Sequence, residues 1–228
     1  TTSKIDVACH GGNTGSATVN ATGGTGTLTY SWNTNPVQTT ATANGLIAGT
    51  YTVTITDANG CSRTETINIS EPTAISTTTS KIDVACHGGN TGSATVNATG
   101  GTGTLTYSWN TNPVQTTATA YGLVAGTYTV TITDANGCSK TETITISEPT
   151  AISATTTKVD VACHGGNTGS ATVNATGGTG TLSYSWNTNP VQTTATAYGL
   201  VAGIYSVTII DANGCSKTET ITISEPTA

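Results

Sequence analysis

The sequence repeats itself with few changes every 77 residues, and this period limits what the chain can fold into. Each copy carries two cysteines and one tryptophan at fixed positions: Cys9, Trp32 and Cys61; Cys86, Trp109 and Cys138; Cys163, Trp186 and Cys215. Solenoid coils have repeats of roughly 20–50 residues, so this period is too long for one coil. The sequence therefore predicts a tandem array of three small domains.

Residues 49–61 show the period-two alternation of a β-strand with one buried face, with threonine at nearly every second position. An Ala-Asn-Gly turn ends this tract, and a second strand follows. A two-residue turn would put the isoleucines of the second strand on the wrong face. A three-residue loop pairs Tyr51 with Ile67 and Val53 with Glu65, which keeps those isoleucines in the core. The sequence therefore predicts a β-hairpin in this register.

The rest of each copy divides into short strands separated by turns, as in an immunoglobulin-like Greek-key sandwich. In the first copy we expect strand A at 4–8, B at 15–22, C at 27–33, E at 39–43, F at 49–56 and G up to 69. Ile5 and Val7 are expected on one face of strand A. Because helical periodicity is absent, the predicted fold class is all-β, with tandem immunoglobulin-like sandwiches in a rod-like array.

Two kinds of aromatic residue have a predicted place in this sandwich. A tryptophan on strand C is typical of the central core aromatic, which predicts core positions for Trp32, Trp109 and Trp186. The leucine, glycine and tyrosine before and within strand F have the spacing of a tyrosine corner, which assigns that role to Tyr51, Tyr128 and Tyr205. Further residues expected to be buried are Leu46, Tyr51, Val53 and Ile67, together with their equivalents in the other two copies.

The sequence Ser-Glu-Pro-Thr-Ala after the last strand of each copy marks the predicted domain boundaries, because proline cannot donate to a β-ladder. The predicted domains are residues 1–72, 73–149 and 150–226. Linkers this short favour a stiff array over flexibly joined domains. Since there is no initiator methionine, we expect the chain to be a mature fragment of a longer protein.

The charge balance argues against several classes of partner. The net charge is −6, with only six lysine and arginine residues, whereas nucleic acids and anionic membrane surfaces bind basic patches. No apolar run reaches the length that is needed to cross a bilayer. We therefore expect neither nucleic-acid binding nor membrane insertion.

Candidate catalytic and metal-binding residues are few. His10 is the only histidine of its copy, and adjacent residues on an extended chain point to opposite sides, so we interpret it as a loop histidine beside a disulfide cysteine. Calcium needs about six converging oxygens, and the turn that begins at Asp57 offers only part of that set. Calcium at a domain junction stays an alternative to a capped turn. We expect no enzyme activity, no catalytic or metal-binding residue and no cofactor.

The outer face of the hairpin is rich in threonine, and Tyr121 and Tyr198, expected to be exposed, replace Asn44 of the first copy. Such a face suggests two kinds of partner, namely surface polysaccharide and a second array that associates laterally. A carbohydrate-binding array is therefore the alternative to a structural role. Threonine is also a good strand former whose hydroxyl keeps an outer face soluble, and strand twist disfavours the flat lattice match of an ice-binding surface.

Several motifs resemble those of the SprB repeat: Cys-His-Gly-Gly at 9–12, Gly-Ser-Ala-Thr-Val at 15–19, Tyr-Ser-Trp at 30–32 and Asp-Ala-Asn-Gly-Cys at 57–61. That family occurs in very large surface adhesins of gliding bacteria, which are exported by the type IX secretion system. The resemblance implies an extracellular stalk segment or surface filament, with neighbouring repeats as partners and no catalytic residue. A common form of the repeat has a further cysteine pair, and this chain has Thr14 and Ala48 at those positions.

Secretion, an even number of cysteines and fixed spacing favour disulfides over free thiols or metal ligands. Pairing within each copy would give Cys9–Cys61, Cys86–Cys138 and Cys163–Cys215. The predicted strand order puts Cys9 and Cys61 at opposite ends of a sandwich, roughly 20–25 Å apart. A disulfide needs Cα atoms within about 7 Å. The F–G end of one domain is expected to face the A–B end of the domain before it. We therefore favour Cys9–Cys138 and Cys86–Cys215, with Cys61 and Cys163 paired outside this sequence, and pairing within copies stays the alternative.

Overall fold

The computed structural model describes residues 1–228 and contains eighteen β-strands joined by loops. The first repeat contains β1 (Thr2–Ile5), β2 (Gly15–Val19), β3 (Thr29–Trp32), β4 (Thr42–Leu46), β5 (Gly49–Thr56) and β6 (Ser62–Ile69). The second repeat contains β7 (Ser76–Ile82), β8 (Gly92–Thr99), β9 (Thr106–Trp109), β10 (Thr119–Leu123), β11 (Gly126–Thr133) and β12 (Ser139–Ile146). The third repeat contains β13 (Ser153–Val159), β14 (Gly169–Thr176), β15 (Ser183–Trp186), β16 (Thr196–Leu200), β17 (Gly203–Ile210) and β18 (Ser216–Ile223). In each repeat these are strands A, B, C, E, F and G.

The structure contains no helix that could cross a membrane.

Each repeat forms two three-stranded sheets, one from strands A, B and E and the other from strands C, F and G. In the first repeat the orders are β1-β2-β4 and β3-β5-β6, and all neighbours are antiparallel. These are the two sheets of an immunoglobulin-like sandwich without strand D. The chain changes sheet between strands B and C, between C and E, and again between E and F, as in a Greek-key sandwich. The predicted all-β fold of immunoglobulin-like repeats is therefore confirmed.

The F–G hairpin has the register that the alternation of its sequence predicts. Tyr51 on β5 lies opposite Ile67 on β6, and the other predicted pairs follow from that register. The backbone N–H of Asp57 donates to the carbonyl oxygen of Cys61 at 3.0 Å, which closes a three-residue loop. Gly60 in this loop has a φ of +85°, a conformation that favours glycine.

The tryptophan of each strand C lies at the centre of its repeat, since Trp32, Trp109 and Trp186 are each only 1% exposed. The indole Nε1 of Trp32 donates to the carbonyl oxygen of Thr40 at 2.9 Å, so the buried polar atom has a partner. The core of the first repeat also includes the predicted residues Leu46, Val53 and Ile67. The prediction is wrong for Ile221, the equivalent of Ile67 in the third repeat, which is only partly buried and packs against the core.

The prediction that Tyr51 is buried is wrong, because the side chain is only half-buried. Its ring packs against the core, and its hydroxyl donates to the carbonyl oxygen of Ile47 at 3.2 Å. A tyrosine that bonds the backbone in this way has to keep its hydroxyl at the rim of the sandwich. Tyr128 and Tyr205 make the equivalent bonds to Val124 and Val201, at 3.1 and 3.2 Å.

Strand A ends at Ile5 rather than at Ala8, and Ile5 does not share a face with Val7. Ile5 is 66% exposed, whereas Val7 is buried. The cause is a change of partner at Asp6, whose carboxylate accepts the backbone N–H of Ser70 at 2.8 Å. Val7 N then donates to Ser70 O at 2.9 Å, so the chain leaves strand B and lies beside the end of strand G.

Strand E begins and ends three residues later than predicted, at Thr42–Leu46 instead of 39–43. Gly45 has a φ of +69° and produces a bulge, so that Ser16 lies opposite Asn44 while Gly15 lies opposite Leu46. Strand C is also shorter than predicted, because the chain folds back after Trp32. The backbone N–H of Trp32 then donates to Gln38 O, at 3.0 Å.

The chain forms two compact units, each of which contains one junction between consecutive repeats. The first unit consists of Thr1–Thr79, Val96–Ala118 and Thr129–Thr143, and the second of Ser80–Thr95, Thr119–Tyr128 and Ile144–Ala228. The predicted domain boundaries after residues 72 and 149 stay predictions.

Candidate functional site at the repeat junctions

A disulfide joins each repeat to the next. In the first unit Cys9, which follows strand A of the first repeat, is bonded to Cys138, which follows the F–G turn of the second. In the second unit Cys86 is bonded to Cys215 in the same way, and both pairs have Cα atoms 5.6 Å apart, a normal disulfide separation. The three pairs within repeats are absent, and Cys61 and Cys163 are free and exposed.

A hydrogen bond next to each disulfide links the same two loops. The side-chain amide of Asn136 donates to the carbonyl oxygen of Ala8 at 2.9 Å. At the other junction Asn213 donates to the carbonyl oxygen of Ala85, also at 2.9 Å. Each junction therefore has a covalent link and a directional polar link side by side, and both come from the F–G turn.

The segment between repeats lies against the B–C loop of the repeat that it enters. The N–H of Gly101 donates to the carbonyl oxygen of Thr73 at 2.9 Å, and Gly178 donates to Thr150 at the same distance. A Cβ on Gly100 would overlap the carbonyl oxygen of Ala74, so only glycine allows this close approach. The linker is therefore held along its length by backbone contacts as well as at its ends.

A buried aspartate organises the loops on which the linker rests. Asp134 is 5% exposed, and its Oδ1 accepts the N–H groups of Asn136 and Cys138, each at 2.9 Å. Its Oδ2 accepts the N–H of Thr102 at 2.9 Å and so ties the F–G turn to the B–C loop. Burial opposes the ionisation of Asp134, but the backbone N–H groups outweigh that effect and hold the pKa of this carboxyl below its ordinary value.

Asp57 occupies the same position in the first repeat, where no linker covers it in this structure, and it is only half-buried. The N–H of Thr25 is the main cause that lowers the pKa of Asp57, with smaller contributions from Cys61 and Asn59. Both carboxylate oxygens of Asp57 therefore accept backbone N–H groups, as in a capped turn. No group of three or more histidine, cysteine, aspartate or glutamate side chains is placed to hold a metal ion.

The histidine of each repeat pairs with the glutamate of the following linker, a contact that the sequence analysis missed. His10 Nδ1 lies 3.2 Å from Glu71 Oε1 and 3.2 Å from the carbonyl oxygen of Pro72. Glu71 Oε2 also accepts the N–H of Gly11 at 2.6 Å. The pair fastens the start of the linker to the A–B loop. The signal in the sequence is the fixed spacing of one histidine and one Ser-Glu-Pro glutamate per repeat.

The outer faces carry the side chains expected there. Tyr121 and Tyr198 are each 67% exposed. Threonine hydroxyls face one another across the F–G hairpin, as with Thr52 and Thr66, whose Oγ1 atoms are 3.4 Å apart. These hydroxyls partly satisfy one another at the surface.

The SprB repeat family matches the chain three times, at residues 1–37, 78–114 and 155–191. The chain contains three SprB repeats. Each matched segment ends in the loop after strand C, so it includes the strand A cysteine of a junction but not the F–G cysteine that bonds to it. The matched segments therefore contain one cysteine of each disulfide between repeats, and the F–G hairpin outside them contains the other.

Solved structures of immunoglobulin-domain proteins are similar to this chain of SprB repeats at low identity. The eight N-terminal Ig domains of Down Syndrome Cell Adhesion Molecule (DSCAM) isoform 1.30.30 align with a TM-score of 0.43 and 12% identity over 87% of this chain and 33% of that one. The Dpr2 Ig1-Ig2 complex with DIP-Theta Ig1-Ig3 aligns with a TM-score of 0.33 and 10% identity over 96% of this chain and 95% of that one. The SprB chain thus spans about a third of the length of the first structure. No curated protein sequence matches it.

Proposed function

We propose that the chain is a non-catalytic structural segment of a bacterial cell-surface adhesin or surface filament, in which neighbouring repeats are locked together. The observation that carries this proposal is that both junctions have the same disulfide, the same asparagine bond and the same linker contact. Disulfides persist in oxidising surroundings, which supports an extracellular location. In keeping with the SprB repeats, we place the segment in an adhesin of the gliding-motility type.

The two disulfides overlap along the chain, and this overlap determines how a pulling force would pass through it. One closes the loop from Cys9 to Cys138 and the other the loop from Cys86 to Cys215, so both loops share residues 86–138. The shortest covalent path between the termini therefore runs through residues 1–9, 86–138 and 215–228. The remaining residues are bypassed by a disulfide, because the force passes through the S–S bond instead. They cannot be extended while both disulfides are intact.

Single-molecule force spectroscopy of the Cys61→Ser/Cys163→Ser chain tests this role. Fully extended residues span at most about 3.3–3.6 Å each. The oxidised chain is therefore expected to reach roughly 250 Å, about a third of the roughly 800 Å that it reaches after reduction. In this variant the only possible bridge within a repeat is Cys86–Cys138, which would allow about three quarters of the full length. Extension to three quarters or to the full length without reductant contradicts the proposal.

The contacts of the candidate catalytic and metal-binding residues support a non-catalytic role without a cofactor. Cys9 is held in a disulfide, and the ring nitrogen of His10 faces Glu71 and a carbonyl oxygen rather than a nucleophile. The carboxylate of Asp134 is engaged with backbone N–H groups on both oxygens. These groups serve the junction itself.

Carbohydrate binding by Tyr121 and Tyr198 is not favoured over the structural role, because exposure of a tyrosine does not by itself make a binding surface. The two functions differ in an observable way. A carbohydrate site on these tyrosines predicts weaker glycan binding by the first repeat, which has Asn44 at that position. The structural role predicts no difference among the repeats on a glycan array.

A further inference from the structure

Strand E lies at an edge of its three-stranded sheet, because the repeats lack the strand D that would pair with it. The edge of a sheet presents N–H and C=O groups to which a strand of another molecule can bind. In the first and third repeats a glutamine side chain occupies this edge. We propose that Gln38 and Gln192 take the hydrogen-bonding place of strand D and so prevent two copies of the chain from pairing along strand E. This role goes beyond the proposed function and does not depend on it.

The glutamine amide bonds both backbone groups of one residue on strand E. Gln192 Oε1 accepts the N–H of Tyr198 at 2.9 Å, and Gln192 Nε2 donates to the carbonyl oxygen of Tyr198, also at 2.9 Å. Gln38 makes the same two bonds to Asn44 at the same distances. Paired residues of two antiparallel strands exchange bonds in this way, N–H to C=O in both directions. The side chain therefore reproduces one such pair.

The bonded groups of Tyr198 point away from strand B and towards the free edge. On the other side of strand E, the N–H of Val173 on strand B donates to the carbonyl oxygen of Ala195 at 2.9 Å. Successive residues of a strand direct their backbone groups to opposite sides, so residues 196 and 198 face outwards. Thr194 Oγ1 donates to the carbonyl oxygen of Thr196 at 2.6 Å. Two side chains of the C–E loop therefore cover the outward-facing groups of this short strand.

The backbone of the same glutamine is fixed to the edge of the other sheet. The carbonyl oxygen of Gln192 accepts the N–H of Trp186 on strand C at 2.9 Å, and the N–H of Gln192 donates to Thr188 Oγ1 at 3.0 Å. The indole of Trp186 donates to the carbonyl oxygen of Thr194 at 2.9 Å and ties the loop to the core. Gln192 is half-buried. One residue therefore connects the edge strands of both sheets on this side of the sandwich.

The opposite side of the sandwich, where strand G is the edge, has a different cover. Lys158 Nζ donates to the carbonyl oxygen of Thr222 at 2.7 Å, and the carboxylate of Asp160 accepts the N–H of Ser224 at 2.8 Å. These bonds are far from the C–E loop in the sequence and do not involve Gln192. Removing the cover of strand E in the third repeat therefore opens one edge and leaves the contacts of strand G in place.

Sedimentation equilibrium of the Cys61→Ser/Cys163→Ser chain tests the proposal, because disulfides between copies cannot form in it. The further changes Gln192→Ala and Thr194→Ala open one edge per chain. Two such edges can pair about a two-fold axis, and this isologous contact closes at the dimer. The parent is expected to stay at 22.7 kDa and the opened variant to approach twice that mass as its concentration is raised. A folded variant that stays monomeric overturns the proposal, and so does open-ended aggregation.

Two control variants separate an opened edge from a general loss of polar side chains. Gln192→Glu keeps an acceptor for the N–H of Tyr198 and adds a charge, which disfavours strand addition, so this chain is expected to stay monomeric. Thr208→Ala/Thr218→Ala removes two hydroxyls that lie 3.5 Å apart on the outer face of the F–G hairpin, and it too is expected to stay monomeric. Dimer formation by the threonine control equal to that of the opened variant overturns the proposal.

Hydrogen exchange at the N–H of Tyr198 shows whether strand E is the contact. In the parent this N–H is expected to exchange much more slowly than a free peptide amide, although the side chain of Tyr198 is 67% exposed. In dilute Gln192→Ala chain we expect about fivefold faster exchange, as for the loss of a hydrogen bond worth about 1 kcal/mol, and slower exchange again in the dimer. Exchange in the parent at the free rate overturns the proposal whether or not the variants fold. A dimer that leaves this N–H unprotected also overturns it, because the contact then lies elsewhere.

Discussion

The side-chain amide of Asn136 donates to the backbone carbonyl of Ala8, 128 residues away, at 2.9 Å. This bond lies beside the disulfide between Cys9 and Cys138, so one turn of the second repeat holds the A–B loop of the first by two different means. The third repeat holds the second in the same way. The F–G turns of the second and third repeats therefore connect two strands of a hairpin and also bind the A–B loop of the repeat before.

Replacing this asparagine is expected to loosen the junction without disturbing the repeat that contains it. Asn136→Ala removes one hydrogen bond and should lower the free energy of unfolding of the oxidised chain by about 1 kcal/mol. Asn59→Ala is the matched control, because Asn59 has no equivalent partner within the chain. The check is a guanidinium titration followed by tryptophan fluorescence. Equal midpoints for the two variants would show that the amide contributes nothing to the junction.

The glycine beneath the linker gives a second matched pair. Gly100 and Gly23 have φ values of +84° and +90°, so alanine causes similar backbone strain at both. Only at Gly100 does the added Cβ overlap the linker, at the carbonyl oxygen of Ala74. Gly100→Ala is therefore expected to destabilise the chain more than Gly23→Ala and to speed hydrogen exchange at the N–H of Gly101. A larger loss of stability for Gly23→Ala contradicts this account of the linker contact.

Acid is expected to weaken the junction through Asp134. Its pKa in the folded chain lies below the ordinary value of 3.8, so its stabilising effect is present above that value and is lost as the pH falls through the lowered pKa. Asp134→Asn should therefore lower the denaturation midpoint near neutral pH and have a much smaller effect in strong acid. Denaturant titrations at several pH values measure both. A difference from the parent chain that is the same at neutral and strongly acidic pH would rule out ionisation as the cause.

The central tryptophan is expected to dominate the stability of its repeat. Trp109 is 1% exposed, and Trp109→Ala should cost roughly 3–5 kcal/mol through lost burial and the cavity that remains. Trp32→Ala and Trp186→Ala should have similar effects, because all three tryptophans are equally buried. Thermal unfolding followed by circular dichroism measures the losses. A cost below about 1 kcal/mol would mean that the cavity is refilled or that the core is organised around another side chain.

Local pattern was sufficient to predict the F–G hairpin, because only one register puts Ile67 opposite Tyr51 and buries it. It was insufficient for strand E, because Gly45 is compatible with either a turn or a bulge, and the bulge that it forms shifts the pairing with strand B. Ile5 was misplaced for a different reason. Its exposure depends on the contact between Asp6 and Ser70, which are distant in sequence and meet only after folding.

The junction could be predicted in part. The spacing and strand order of the cysteines suggest which loops lie near each other, since those properties follow from topology. The roles of His10 and Glu71 could not be read in this way, because each is an ordinary loop residue until the chain returns to the same end of the sandwich. The asparagine bond was missed for the same reason, and Asn136 looks like a turn former alone.

Peptide mapping of the non-reduced chain tests most directly whether disulfides join neighbouring repeats. The six lysine and arginine residues are placed so that trypsin releases residues 5–63, 82–140 and 159–217, each with both cysteines of one repeat. Free thiols are first alkylated, and the chain is then unfolded in urea and digested. Bonds between repeats predict one species in which all three peptides are linked, with Cys61 and Cys163 alkylated. Three separate peptides, each closed by its own disulfide and without alkylation, would contradict the account.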